Sequence, residues 1–287
     1  MEKPVVITAD SSADLPHYIR GEFGIHFFPI IISLEGRDYR DCVDLFPKDI
    51  YAAYKERGVI PKTAAPSIGD YKSFFEGFTS QGVSVVHMAL SHRLSSCCNV
   101  AQLAAAECED VHVVDTMSFC TSAGMLCIQA ALLRDKGLSA PAIAEELLRL
   151  RERVLAYYIP DNLAFISKGG RCSALTAWGA NLLKLRPMVT INGSTGDIVI
   201  GKKYRGALAA VQESFLRDAI ANAKDRMDDS IACVMHTPDM LPQQYGPLEA
   251  LAKELLPNVK RWIMGDVGCA IVSHVGTECF AFIAMEK

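Results

Sequence analysis

The sequence predicts an α/β fold in two domains. Residues 1–160 would form an N-terminal domain on a mainly parallel sheet with helices on both faces. Residues 161–287 would form a C-terminal α/β domain whose sheet contains antiparallel strands. Three observations carry this expectation. Short apolar runs alternate with helical stretches through the first half. Asn192-Gly193-Ser194-Thr195-Gly196 separates two apolar runs in the second half, as a hairpin loop does. Half of the 287 residues are apolar, enough to bury a substantial core and to divide it between two units.

Taken in order, Val5–Ala9 reads as a buried strand ending at the polar Asp10-Ser11-Ser12, with a short helix over Leu15–Phe23. His26–Leu34 is a second strand, closed by the turn Glu35-Gly36-Arg37-Asp38. Pro47–Arg57 is a helix with proline in its first turn and Gly58 past its end. Residues 62–67 form a loop, and Ser67 with Asp70 makes a capping-box start for a helix over Gly69–Thr79. A strand at Val83–Leu90, a loop at Ser91–Ser96 and a helix at Cys97–Cys108 follow. Val111–Asp115 is a strand, and Thr121–Lys136 and Ala140–Ala156 are helices. In the second half, strands are expected at Arg186–Ile191, Asp197–Lys203, Ile231–His236, Val259–Met264, Ala270–His274 and Phe280–Glu286, with a helix at Leu208–Ala223.

Composition narrows the function. A net charge of −4 argues against a nucleic-acid partner. No apolar run is long enough to span a bilayer, so no stable membrane insertion is expected. Met1–Ile7 runs straight into a strand without the pattern of a secretory signal. The ten cysteines are scattered, with no C-x-x-C pair and no zinc-cage spacing. They read as reduced, small apolar side chains of a cytoplasmic chain, with no metal. Nucleophile-elbow, phosphate-loop, dinucleotide-binding and H-E-x-x-H motifs are all absent, and no catalytic residues are assigned.

Hydroxyl-rich segments follow three of the strands: Thr8–Ser12, Thr63–Ser67 and Ser91–Ser96. In open α/β sheets, ligands sit beyond the carboxyl ends of strands. Helix N-termini there offer free N–H groups to an anion, though serine and threonine at such positions also serve as plain caps. Ser67 is the clearest cap; Thr63 stands too far from that helix start to cap it and is the better ligand candidate. Lys168-Gly169-Gly170-Arg171 could let the backbone approach a ligand between flanking cations, or be an exposed turn. His274, followed by Val275-Gly276, could bond a carboxylate or be a core imidazole.

These segments together resemble the DegV family over nearly the whole chain. Thr8–Leu15 is similar to its opening T-D-S-x-x-D-L, and Thr63-Ala64-Ala65-Pro66-Ser67 to T-S-x-P-S. Leu90–Cys97 stands where the family has S-S-x-L-S-G-T. Val114-Asp115-Thr116 resembles its V-D-S segment. Lys168–Arg171, followed by Leu185-Arg186-Pro187, is the most specific stretch; Tyr204-Arg205-Gly206 and His274-Val275-Gly276 complete the order.

The resemblance implies a non-catalytic protein that binds one long-chain, palmitate-like fatty acid between its two domains. It implies that the carboxylate is presented to a separate fatty acid kinase catalytic subunit, which makes an acyl phosphate for lipid metabolism. By position, Thr63, Ser95 and His274 would bind the carboxylate, with Arg171 on the same rim and Ala64, Ser96 and Gly276 as further rim positions. Phe74, Phe75, Phe78, Leu126 and Ile128 are candidates for the wall around the tail, with ordinary core the preferred reading for any one of them. This chain departs from the family at Ala64, Ser96, Cys97 and Thr277-Glu278. A regulatory or scaffolding protein of the same fold, or an acyl hydrolase using Ser95 and His274, are the alternative readings.

Overall fold

The computed structural model describes residues 3–161, 163–170 and 185–287. β1 (Val5–Asp10) runs through a 3₁₀ turn (Ser11–Ala13) into α1 (His17–Phe23). Gly24 ends that helix in a left-handed conformation (φ 61°), and β2 (Ile25–Phe28) follows. β3 (Ile31–Leu34) and β4 (Arg37–Arg40) form a hairpin; after α2 (Pro47–Arg57), β5 (Lys62–Ala64) returns to pair with β3. The first half continues with α3 (Ile68–Thr79), β6 (Ser84–Ala89), α4 (Cys97–Ala105), β7 (Val111–Asp115), α5 (Cys120–Asp135) and α6 (Ala140–Leu150). Four of these strands form a parallel sheet in the order β2-β1-β6-β7, and three form a small antiparallel sheet in the order β4-β3-β5.

Next come β8 (Val154–Ile159), α7 (Leu163–Gly169), β9 (Arg186–Ile191), β10 (Ile198–Tyr204) and α8 (Leu208–Ala223). They are followed by β11 (Met227–His236), α9 (Pro242–Leu255), β12 (Arg261–Asp266), α10 (Cys269–Val275) and β13 (Phe280–Glu286). The second sheet has the order β10-β9-β8-β13-β11-β12 and is antiparallel except for the parallel pair β11–β12. Strand periodicity sorts its side chains between two cores. Phe280, Phe282 and Ala284 pack with Phe215 and Leu248 of α8 and α9, whereas Ala281, Ile283 and Met285 join the main core shared with the first sheet.

α5 joins the two halves. It contacts β1 and β6 on one side and β8 and β13 on the other, so it is apolar nearly all round. A Cβ on its Gly124 would stand 2.5 Å from the Ala13 carbonyl oxygen, so the close approach of this helix to the turn after β1 requires glycine.

Several expected elements are corrected. His26–Leu34 is two strands in different sheets, β2 and β3, because the chain turns between them at Pro29-Ile30. The helix expected over Ala140–Ala156 stops at Leu150, and Val154–Ile159 is a central strand buried along its length. Ala270–His274 lies in a helix, α10, bounded by Gly268 and Gly276. The small antiparallel sheet of β4, β3 and β5 places Lys62–Ala64, expected as loop, in a strand.

Candidate functional site

A cavity opens between residues of the two halves, with about 900 Å³ of empty space when the open mouth is counted. The first half lends its wall Ile30, Leu90, Leu94 and Phe119. The second half lends Tyr158, Pro160, Ile166, Val189, Ile198 and Ile271. Polar groups are few among the described lining residues: Ser12, Thr63, Ser95 and His274.

Each polar group is placed by a nearby element. Ser12 lies in the turn after β1, and Ser95 in the loop after β6, both beyond the carboxyl ends of parallel strands. Thr63 is held in β5, opposite Ile32 of β3. His274 sits in the last turn of α10, and its Nε2 is 2.8 Å from Thr63 Oγ1. Gly169 supports the imidazole from behind, since a Cβ there would come within 2.6 Å of His274 Nδ1. The paired glycines thus admit a neighbouring side chain: Gly169 faces His274, and Gly170 turns the chain out of α7 with φ 66°.

Ser95 is anchored differently. Its Oγ accepts from the Cys97 N–H (3.2 Å) and donates to Cys97 Sγ (3.1 Å). Burial, together with the nearby Asp10, pushes the Cys97 thiol up to about 12, and burial does the same to Cys279 on the cavity wall. Both remain thiols at neutral pH, which makes them poor nucleophiles. Burial likewise raises the Tyr158 phenol, whose OH donates to Ser122 Oγ at 2.8 Å. That leaves the face of its ring, stacked on Phe119, to the cavity.

Of the positions singled out by sequence, Thr63, Ala64, Ser95 and His274 line one cavity. Arg171 lies outside the described residues. Ser96 is exposed ahead of α4, and Gly276 packs against the Phe165 ring, so neither is on the described wall. Glu278 turns away from the cavity: Gln244 Nε2 donates to its Oε1 at 2.9 Å. The five wall candidates are ordinary core: Phe74, Phe75 and Phe78 pack against β6 and α4 in a separate cluster, and Leu126 and Ile128 are interior residues of α5. α3 turns its aromatic face away from the cavity, whose wall comes from strand ends, loops, α7 and α10. Ser12 stood out only as part of the hydroxyl-rich segment Thr8–Ser12 and was not named as a ligand, and the wall residues Leu94 and Ile271 were missed.

The fold and this cavity define an α/β protein of two main sheets and a small third one, with an apolar cavity and a small polar patch. The family model for uncharacterised proteins of the DegV family matches residues 4–287. The chain belongs to the DegV family. It is similar to the fatty acid-binding protein of Thermotoga maritima, 29% identical over 296 residues, covering 97% of this chain and 96% of that one. Among solved structures it is similar to a fatty-acid-binding DegV family protein from Thermus thermophilus, with TM-score 0.86, 28% identity and full coverage of both chains. It is also similar to a DegV lipid-binding protein from Thermotoga maritima, with TM-score 0.79, 26% identity and full coverage of both chains.

Proposed function

We propose that this chain binds one long-chain fatty acid between its two halves, divided near residue 160, and presents the carboxylate to a separate kinase subunit in the cytoplasm. The observation that carries the reading is the cavity itself, apolar almost throughout, with Ser12, Thr63, Ser95 and His274 as the polar groups among its described lining residues. At about 0.8 kcal/mol per buried methylene, a tail of about sixteen carbons gains on the order of 10 kcal/mol before the costs of association. The carboxylate must then find donors, because an unpaired buried charge costs several kcal/mol. With His274 Nε2–H donating to Thr63 Oγ1, the Thr63 hydroxyl is left to donate one; Ser95 supplies another by turning its O–H from Cys97 Sγ to the ligand, and Arg171 is assigned to the same rim. Presentation to a kinase is supported by the exposure of Lys168 and Gly170 beside Gly169, the residue that backs His274.

The hydrolase alternative needs Ser95 bonded to its base. Ser95 Oγ is engaged with Cys97 and His274 Nε2 with Thr63, which favours a binding role over catalysis. Among the described residues, no helix is long and apolar enough to cross a membrane.

Protein purified from a bacterial host, denatured, extracted with organic solvent and examined by mass spectrometry is expected to release about one acyl chain per protein. Protein that releases none and takes up no added palmitate would refute the reading. Gly169→Ala supplies a second test. Alanine favours a helix by about 1 kcal/mol over glycine, but its Cβ would collide with His274 Nδ1 at 2.6 Å. Palmitate affinity is expected to fall about tenfold, or 1.4 kcal/mol, with the melting temperature preserved. Unchanged affinity by calorimetry would show that the imidazole is not needed in its present place.

A further inference from the structure

A second concavity opens beside the turn after β1, and Asp14, Asp41, Cys42 and Gly268 line it, with Arg20 and Lys48 also on its wall. One donor atom from each of Asp41, Cys42 and Cys269 lies within 4.8 Å of the other two. Gly268 marks the point of convergence. A Cβ there would be 3.0 Å from Cys42 Sγ, 3.1 Å from Asp14 Oδ1 and 3.2 Å from Asp41 Oδ1. Two backbone N–H groups fix the carboxylates: Gly268 donates to Asp14 Oδ1 and Cys269 to Asp41 Oδ1, each at 2.8 Å. The second oxygen of Asp14 is different. Asp14 is only 6% exposed, and its Oδ2 has no hydrogen-bond partner among the described residues. A buried carboxylate oxygen in that state is costly until a donor or a cation meets it.

We propose that Asp41, Cys42 and Cys269, with Asp14 as the fourth ligand, form a site for a thiophilic divalent cation of the zinc class. Two sulfurs with two carboxylates suit zinc and exclude the hard cations, which take oxygen alone. Zinc–sulfur and zinc–oxygen bonds of about 2.3 and 2.1 Å put tetrahedral donors roughly 3–4 Å apart, so Asp41, Cys42 and Cys269 close by about an ångström and Asp14, which stands outside their 4.8 Å group, swings in to complete the set. The Cys269 thiol donates to the Leu45 carbonyl at 3.2 Å, and that proton and the one on Cys42 pass to solvent as the cation enters. No linear motif reveals the site, because its ligands come from three distant segments. Once loaded, it would tie the loop after β4 to the start of α10, the helix that carries His274.

The test uses the full-length protein, reduced, stripped with a chelator and titrated with Co²⁺ alone. One bound equivalent with thiolate-to-cobalt charge-transfer absorption is expected, and added Zn²⁺ should displace it. Cys42→Ser is expected to roughly halve that absorption per bound cobalt, leaving the Cys269 sulfur, and to weaken binding by at least about 100-fold, the upper end of what changes beyond the direct ligands cost. Cys42 is exposed, so the serine variant should keep the fold, which its unchanged circular dichroism would establish. Asp14→Asn should weaken binding while the sulfur absorption persists. Wild-type protein that binds no stoichiometric cobalt, cobalt bound without thiolate absorption, or Cys42→Ser binding like wild type would each overturn the proposal.

Discussion

Thr63→Val combined with Ser95→Ala is expected to lower palmitate affinity by at least about 100-fold. A hydrogen bond to a charged group contributes roughly 1.5–3 kcal/mol. Losing two from a carboxylate enclosed by apolar walls therefore costs about 3 kcal/mol or more, and each 1.4 kcal/mol is tenfold in affinity. Valine keeps the shape of threonine in β5, so the change at position 63 isolates the hydroxyl bonded to His274. Alanine at position 95 also removes the acceptor for the Cys97 N–H at the start of α4, which costs about 1 kcal/mol of stability. Melting curves for each single variant separate that effect from binding. Titration of a fluorescent fatty acid, displaced by palmitate, reads the affinity. Wild-type affinity in the folded double variant would place the head group elsewhere in the cavity.

What the sequence made legible was local. The capping box at Ser67 and Asp70 is present, with Ser67 Oγ accepting from the Asp70 N–H at 3.1 Å, because cap and partner are three residues apart. Pro47 and Gly58 bracket α2 as expected, and Asn192–Asp197 connects the antiparallel pair β9–β10. What escaped was set by distant neighbours. Ala270–His274 reads as a strand because a short, continuous apolar run has no period that separates strand from helix. It is a helix buried from Cys269 to Ser273, so its interior positions are apolar on every side. β5 has three residues and exists through its pairing with β3, which no local pattern encodes. The site behaves the same way. Thr63 and Ser95 were recognisable as hydroxyls in ligand-bearing segments, but the contact of Thr63 with His274 spans 211 positions. The tail wall could not be told from ordinary core, because helical aromatic residues near a site are apolar whichever core they face, and α3 faces its own.

Asp10→Ala is expected to be the most damaging single change to the fold, at about 3–5 kcal/mol, the cost of stripping one partner from a buried charged network. The carboxylate is 1% exposed at the end of β1. Its Oδ1 accepts from Tyr71 OH at 2.5 Å and its Oδ2 from the Leu90 N–H at 2.7 Å. His87 Nε2 stands 3.3 Å from Oδ1, and the other ring nitrogen is bonded to Thr8 Oγ1 at 3.0 Å. Alanine leaves a phenol and a backbone N–H buried without an acceptor, each at about 1–3 kcal/mol. A fall in melting temperature on the order of 10 °C follows for a chain of this size. The urea midpoint should shift with it, and a shift worth less than about 1 kcal/mol would show that water or a rearranged Tyr71 replaces the carboxylate. Asp10→Asn, which keeps one acceptor oxygen, should lose less. The effect reaches the ligand site because Leu90 is both the residue Asp10 tethers and part of the cavity wall, and the loop that follows it holds Ser95. Asp10→Ala should therefore weaken fatty acid binding even at temperatures where it remains folded, whereas a destabilising change in the separate core of α8 and α9, such as Phe215→Leu, should lower the melting temperature and leave affinity intact.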